Sequence, residues 1–216
     1  MIPTLYYLPL RARAEPIRMV LAYGNIAYDN VLVDFPNWPD MKMDATSCPF
    51  GQLPVMKLPT GTNIAQSGAI LRYVAKLAGV YPSDPERAAV ADMVQELCLD
   101  MNPINPILNF FPKGSDQYNS AYDSYFATLG DRLKSLQRSL KSEKFFGGND
   151  IPSHGDFALF HILDSTVTVK PDALNEFPTF QTWMENMKSI PQLKKYLEER
   201  PGFDQVGAPG SHIKSL

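Results

Sequence analysis

Three short segments in the first third of the chain carry side chains that could hold a small charged ligand. Tyr7 ends an apolar and aromatic run, Thr4 to Tyr7, and leads into a loop bearing Arg11 and Arg13. The carboxyl ends of parallel strands are where α/β sheets bind their ligands. Gln66-Ser67 opens a helical pattern, and the free N–H groups and dipole of a helix start attract carboxylate or phosphate. Gln52-Leu53-Pro54 places an X-Pro bond directly before a strand-like run. The missing donor suits an edge strand or a cis turn, and either leaves the Leu53 backbone open to an extended ligand. Each feature also has a plain structural reading: Tyr6 or Tyr7 as a core aromatic, Ser67 as an ordinary helix cap. Together they outline a cleft for a small, charged, peptide-like molecule.

Other chemistries fare worse. There are three histidines, and His154 and His161 lie seven apart on one predicted helix, too far to share a metal. A structural role is expected for both. Two cysteines, Cys48 and Cys98, with no Cys-x-x-Cys, make neither a disulfide framework nor a zinc set, and no metal is expected. No glycine-rich phosphate loop follows a strand. Asp92, Glu96 and Asp100 form an acidic stripe that, on the residues alone, reads as a solvated face. A net charge of −3 argues against a broad grip on nucleic acid. With no run of 18 apolar residues, no membrane insertion is expected. The segment from Met1 to Leu10 lacks a basic lead-in and a small-residue cleavage site, so a cytoplasmic location is expected.

The elements that must position these residues change character along the chain. Thr4 to Tyr7 reads as a buried strand, Pro16 to Gly24 as a helix with a first-turn proline, and Val31 to Val33 as a second strand. A polar loop is predicted from Asp34 to Gly51. Pro54 to Leu58 and Ile64-Ala65 then form a hairpin about a Pro59–Asn63 turn. A helix with Ala69, Ile70, Tyr73, Val74 and Leu77 on one face follows. A βαβ unit followed by ββα gives a four-stranded mixed sheet covered by helices, the thioredoxin-like arrangement. The domain boundaries expected are 1–78 for this part, 79–84 for a linker, and 85–216 for an all-α helical domain.

In that second part, Val90, Val94, Leu97, Met101, Ile104 and Leu108 alternate spacings of four and three. Tyr122, Phe126, Leu129, Leu133, Leu136 and Leu140 do the same. Two long helices packed along these stripes are predicted, the first kinked or broken at Pro103 and Pro106. Ser153-His154-Gly155-Asp156 is a capping-box variant opening a third helix. Shorter helices follow at Phe180 to Met187 and Pro191 to Glu199, and the tail from Pro201 has no clear period.

With these residues in hand, the chain resembles the cytosolic glutathione S-transferases of the tyrosine type, most closely the sigma class, with pi second. The likeness is carried by Leu5-Tyr6-Tyr7-Leu8-Pro9-Leu10-Arg11-Ala12-Arg13-Ala14-Glu15, by Trp38-Pro39-Asp40-Met41-Lys42 and by Pro49-Phe50-Gly51-Gln52-Leu53-Pro54-Val55. Gln66-Ser67-Gly68-Ala69-Ile70-Leu71-Arg72-Tyr73 and Ser153-His154-Gly155-Asp156-Phe157 complete it. The resemblance implies glutathione as co-substrate and roles by position. Tyr7 looks like the hydroxyl facing the sulfur, with Arg13 as its basic support. Trp38 and Lys42 match contacts to the glycine end. Gln52 and Leu53 match the segment that pairs with the cysteinyl backbone, with Leu53-Pro54 cis. Gln66 and Ser67 look like the γ-glutamyl carboxylate clamp. Asp100 resembles the acidic residue that reaches the γ-glutamyl amine of the neighbouring subunit, which overrides the solvated-face reading and implies a homodimer. Phe50 occupies the position of an aromatic key. Ala12 departs from the glycine common between the two arginines, and Cys48 is similar to a thiol-reactive cysteine of the pi class.

The activity so implied is conjugation of the glutathione thiolate to hydrophobic electrophiles, a detoxifying transferase. The alternatives are a glutathione-dependent isomerase or peroxidase, or a non-catalytic carrier of haem or hydrophobic ligands. Pro9, Leu10, Ile104 and Leu108 are expected, from pattern alone, to line an apolar electrophile pocket, and read equally well as core.

Overall fold

The computed structural model describes residues 2–140, 144–146, 150–200 and 213–215, the last three as backbone. The chain forms two compact units, residues 1–79 with 192–216, and residues 80–191.

In the first unit, β1 (Thr4–Tyr7), a 3-10 turn (Ala12–Ala14), α1 (Glu15–Tyr23) and β2 (Asp29–Leu32) form the βαβ element. A short helix α2 (Trp38–Met43) follows, then the β3 (Val55–Lys57) and β4 (Asn63–Ala65) hairpin, and α3 (Ser67–Leu77). β1 pairs parallel with β2 and antiparallel with β3, which pairs antiparallel with β4. This is the expected thioredoxin-like mixed sheet. Leu5, Ile17, Val20, Leu21, Val31, Val55, Met56, Ile70 and Val74 are its buried core. Gly24 ends α1 where α3 ends: a Cβ there would lie 2.8 Å from the Ala78 Cβ, so the close approach requires glycine. Helix α2 lies within the stretch read from sequence as loop; Pro39 in its first turn starts it, and only six residues are helical.

The second unit contains α4 (Pro85–Asp100), α5 (Ile104–Asn109), α6 (Asp116–Leu140), α7 (His154–Val169) and α8 (Pro178–Lys188). As the prolines require, the first predicted stripe is broken between α4 and α5. Its nearest neighbour is a helix that the two stripes do not single out. The buried face of α4 is Ala88, Ala91, Val94, Gln95 and Cys98. Its last residue meets α6, where Arg132 donates to the Asp100 carbonyl, and α4 comes closest to α7. Small residues set this contact: a Cβ on Gly155 would sit 2.4 Å from the Ala91 carbonyl oxygen. Helix α7 is buried on nearly every side, the mark of a central helix. On α6, Leu129, Leu133, Leu136 and Leu140 are buried as expected, with Tyr125 in place of Tyr122 and Phe126.

The last helix, α9 (Pro191–Glu199), and a strand β5 (Ile213–Ser215) complete the chain. From Gln192 onward the chain groups with the first unit, although the sequence places it in the helical domain. The reason is polar. The Tyr196 hydroxyl and the Arg200 guanidinium donate to Glu15 Oε1 at 3.0 and 2.9 Å. The backbone of β5 adds a fifth strand, parallel to β2, giving the order β4-β3-β1-β2-β5. The rest of the tail, read as lacking a period, lies outside the described residues.

The Ser153–Asp156 cap forms as predicted, and its carboxylate does more than cap. Asp156 accepts from the Ser153 N–H at 2.8 Å, the Ser153 hydroxyl at 2.7 Å, the Phe146 N–H at 3.0 Å and the Trp183 indole at 3.3 Å. Burial pushes its carboxyl up to about 6 despite these donors. Asp156→Ala strands four buried donors and costs about 3 kcal/mol, a fall in Tm of about 6–12 °C by thermal unfolding. A carboxyl raised in the folded state takes up a proton on folding. The wild-type advantage over the variant therefore narrows as pH rises from about 4 to about 6.

Candidate active site

β1 delivers Tyr7 at its C-terminal end, 5% exposed. Its hydroxyl accepts the Arg13 backbone N–H at 3.2 Å. That contact depends on the loop after β1, which turns through the Leu10 N–H to Leu8 carbonyl bond at 2.6 Å and through Ala12 at φ 31°. A positive φ is where the glycine that the resemblance places here would be at ease. Burial raises the Tyr7 phenol above its ordinary value, against the lowering effects of the Arg13 N–H and the Arg18 and Arg13 charges. A phenol raised in this way keeps its proton at neutral pH, which leaves the hydroxyl available as a donor. The Arg13 side chain is exposed; its backbone, not its guanidinium, touches Tyr7.

The side chain whose charge lowers the Tyr7 phenol most is not among the candidates the sequence singles out. Arg18 on α1 is 4% exposed, with its Cζ 5.9 Å from the Tyr7 ring centroid. It donates to the Leu10 carbonyl at 3.0 Å and Glu15 Oε2 at 3.3 Å, and reaches Asn30 at 3.4 Å. A signal was present: Glu15 and Arg18 are charges at i, i+3 on the same helix as Ile17, Val20 and Leu21, and a charged pair on a buried face needs explanation.

The second cluster is built by the hairpin and α3. The Gln66 amide donates to the Gln52 side-chain oxygen at 3.0 Å, so the structure brings together two predicted ligand residues from separate segments. Gln66, not Ser67, is the cap position of α3, and no side chain caps the helix; Ser67 is the first helical residue. The first N–H groups of α3 are thus left to a ligand or to water. Gln66 sits at φ 72°, ψ 118°, a positive φ outside the left-handed helical well that residues with a Cβ rarely adopt. Leu53-Pro54 is cis, as expected.

Trp38 and Leu53 come together with Met41 around buried Cys48, Val55 and Ala65. Lys42 runs beside Gly51, its Cγ 3.4 Å from where a Cβ would stand. Cys48 is 1% exposed and its thiol lies 3.3 Å from the Gln52 carbonyl. Burial pushes the thiol up, and the side chain packs against Trp38, Met41 and Leu53. A cleft of about 340 Å³ beside Tyr6, Met41 and Lys57 lies on the opposite sheet face from Tyr7, since successive strand residues alternate. Pro9 and Leu10 are half-buried.

Asp100, Ile104 and Leu108 belong to the second unit. Asp100 ends α4 with its side chain exposed, and its carbonyl accepts from Arg132 at 2.8 Å. Along the same stripe Asp92 turns inward to His154, at 2.9 Å, and Tyr81, at 3.2 Å, which accounts structurally for that histidine. Ile104 is fully buried, so it is core rather than pocket lining; Leu108 is half-buried.

The strain at Gln66 has a measurable consequence. Gln66→Gly relieves a backbone cost of about 1–3 kcal/mol, partly offset by glycine's added chain entropy. The variant is expected to melt about 2–4 °C higher, while losing the Gln52 contact and binding the site's ligand more weakly.

Residues 3–76 match the glutathione S-transferase N-terminal domain, and residues 103–200 match the glutathione S-transferase C-terminal domain. The chain is 31% identical over 202 residues to glutathione S-transferase P of Caenorhabditis elegans, covering 93% of this chain and 94% of that one. It is 27% identical over 201 residues to hematopoietic prostaglandin D synthase of Gallus gallus, covering 91% and 96%. The solved structure of the Pi-class glutathione S-transferase of Onchocerca volvulus superposes with a TM-score of 0.80 at 27% identity, over 93% of this chain and 94% of that one. The chain belongs to the glutathione S-transferase family.

Proposed function

We propose that this protein binds glutathione in the first unit and transfers its thiolate to hydrophobic electrophiles, acting as a cytoplasmic detoxifying enzyme. One observation carries the reading: a buried Tyr7 hydroxyl at the strand end, oriented by the Arg13 N–H. A free thiol with a pKa near 8.5 is only about 3% ionised at neutral pH. A phenol O–H donated to the sulfur favours the anion. The sulfur lone pair then forms the C–S bond, the electrophile's leaving group departs with its bonding pair, and the thiol proton is released to solvent beforehand.

The remaining residues fit the rest of the tripeptide. The uncapped start of α3, with Ser67 and the linked Gln66 and Gln52, suits the γ-glutamyl carboxylate. Leu53, before cis Pro54, offers its backbone to the cysteinyl unit. Trp38 and Lys42 on α2 would take the glycine end, and Arg13 adds positive potential at the rim. Asp100, exposed on α4, is available to a neighbouring subunit's γ-glutamyl amine. Phe50, 66% exposed, is an apolar side chain that a homodimer would cover. We keep the sigma class ahead of pi as the reading of the motifs. The likeness to a prostaglandin D synthase favours glutathione-dependent isomerisation as the second reading, since the same thiolate serves it.

Charge-assisted hydrogen bonds contribute about 1.5–3 kcal/mol, so Tyr7→Phe should slow conjugation roughly 10- to 150-fold. Ultraviolet titration of bound glutathione against pH checks the cause. The thiolate band should titrate well below the free thiol in the wild type and shift back upward in Tyr7→Phe. Glutathione bound with an unshifted thiol would leave only a binding or carrier role, and no binding would remove the site assignment itself.

A further inference from the structure

We propose that Arg18 is a positioning residue for this chemistry: its buried guanidinium, behind the Tyr7 ring and tied to the Leu10 carbonyl, makes the Tyr7 hydroxyl a stronger donor to sulfur. The inference rests on the reading of Tyr7 as the residue that faces the sulfur, and goes beyond it by naming where the positive potential originates. Arg13, the basic residue expected in that role, is exposed to solvent, where screening weakens the potential it adds.

The geometry gives Arg18 two effects on one hydroxyl. Its Nη1 holds the Leu10 carbonyl at 3.0 Å. That fixes the loop whose later residue, Arg13, presents the N–H to Tyr7. Its Cζ lies 5.9 Å from the ring centroid, within the reach of a cation–π contact. The charge acts there through a protein interior that screens poorly.

The groups facing Arg18 come from several elements. On α1, Glu15 approaches Nη1 at 3.3 Å, while its other oxygen takes Tyr196 of α9 and Arg200 beyond it. Asn30 of β2 is neutral. Tyr28, just before β2, is pushed up to about 12 by burial, and Tyr196 is also raised by burial, so both stay uncharged. The one carboxylate facing Arg18 in this set therefore also serves a hydroxyl and a second guanidinium. Arg18 Nη2 is buried without a hydrogen-bond partner among the described residues. A cation held this way keeps much of its potential for its neighbours, and Tyr7 is one of them.

A side chain that only supported the fold would move stability and leave the thiol alone, so the test reads thiol ionisation. Bound glutathione is titrated in wild type, Arg18→Gln, Glu15→Gln and Tyr7→Phe. The pH profile of kcat/KM is taken alongside, with an aryl halide as electrophile. Arg18→Gln should raise the bound-thiol pKa by about one unit. Its kcat/KM should fall about tenfold on the acid side and approach wild type at alkaline pH, where the thiol ionises unaided. Glu15→Gln keeps acceptors for Tyr196 and Arg200 but removes the opposing charge, and should lower the thiol pKa. Opposite signs for the two variants support the proposal. Two unshifted thiols, or two shifts in the same direction, overturn it, whatever happens to Tm. If Arg18→Gln fails to fold, Glu15→Gln decides by its sign. Failure of the underlying reading looks different: the thiol pKa is then undepressed in wild type or unchanged in Tyr7→Phe. If Tyr7→Phe shifts the thiol and Arg18→Gln does not, only the role of Arg18 falls.

Discussion

A guanidinium cannot be buried unless its charge is met, and that requirement at Arg18 organises the first unit. Removing one ion from water costs several kcal/mol even after relaxation, so each neighbour of Arg18 is held to its place. Glu15 must lie one turn earlier on α1, the Leu10 carbonyl must face inward, and Asn30 must come from β2. Glu15 then draws in Tyr196 and Arg200 from the far end of the chain. One charged pair thereby ties α1, the loop after β1, β2 and α9 together, and Tyr7 stands over the middle of it. Stability and site geometry in this unit share a cause.

The second unit solves a similar problem with the sign reversed. Asp156 is a buried carboxylate at the start of the central helix α7, satisfied by Ser153, Phe146 and Trp183. The aromatic residues Phe146, Phe160 and Phe180 surround Trp183, so the acceptor of the indole N–H also orients the largest side chain of that core. Where a helix must pass close to another, glycine makes the room, as Gly155 does against Ala91.

Much of this was legible from the residues. β1, α1 and the β3–β4 hairpin follow from apolar runs and turn residues, and the break between α4 and α5 follows from proline's missing N–H. The Ser153–Asp156 cap follows from its spacing. Gln52 and Gln66 are legible as ligand candidates, although their side-chain contact requires the fold. Helix α2 escaped because six residues cannot establish a period. The close approach of α4 to α7 is not legible because large apolar side chains dominate the stripe, while the small Ala88 and Ala91 mark the face that comes closest to a neighbour. Strand β5 escaped because three residues show no pattern until an edge strand receives them.

By itself, the sequence determined the order of elements, the mixed sheet followed by helices, and the set of side chains offered to a peptide-like ligand. Those depend on period, caps and turn chemistry, which act over a few residues and are written locally. Tertiary structure alone decided which charges are buried and therefore which of them shape the site. It exposed Arg13, enclosed Arg18 and buried Ile104 in the helical core. It also moved the cap of α3 to a strained Gln66. Burial depends on neighbours distant in the chain; Tyr196 reaches Glu15 across 181 residues, and no local spacing carries that contact.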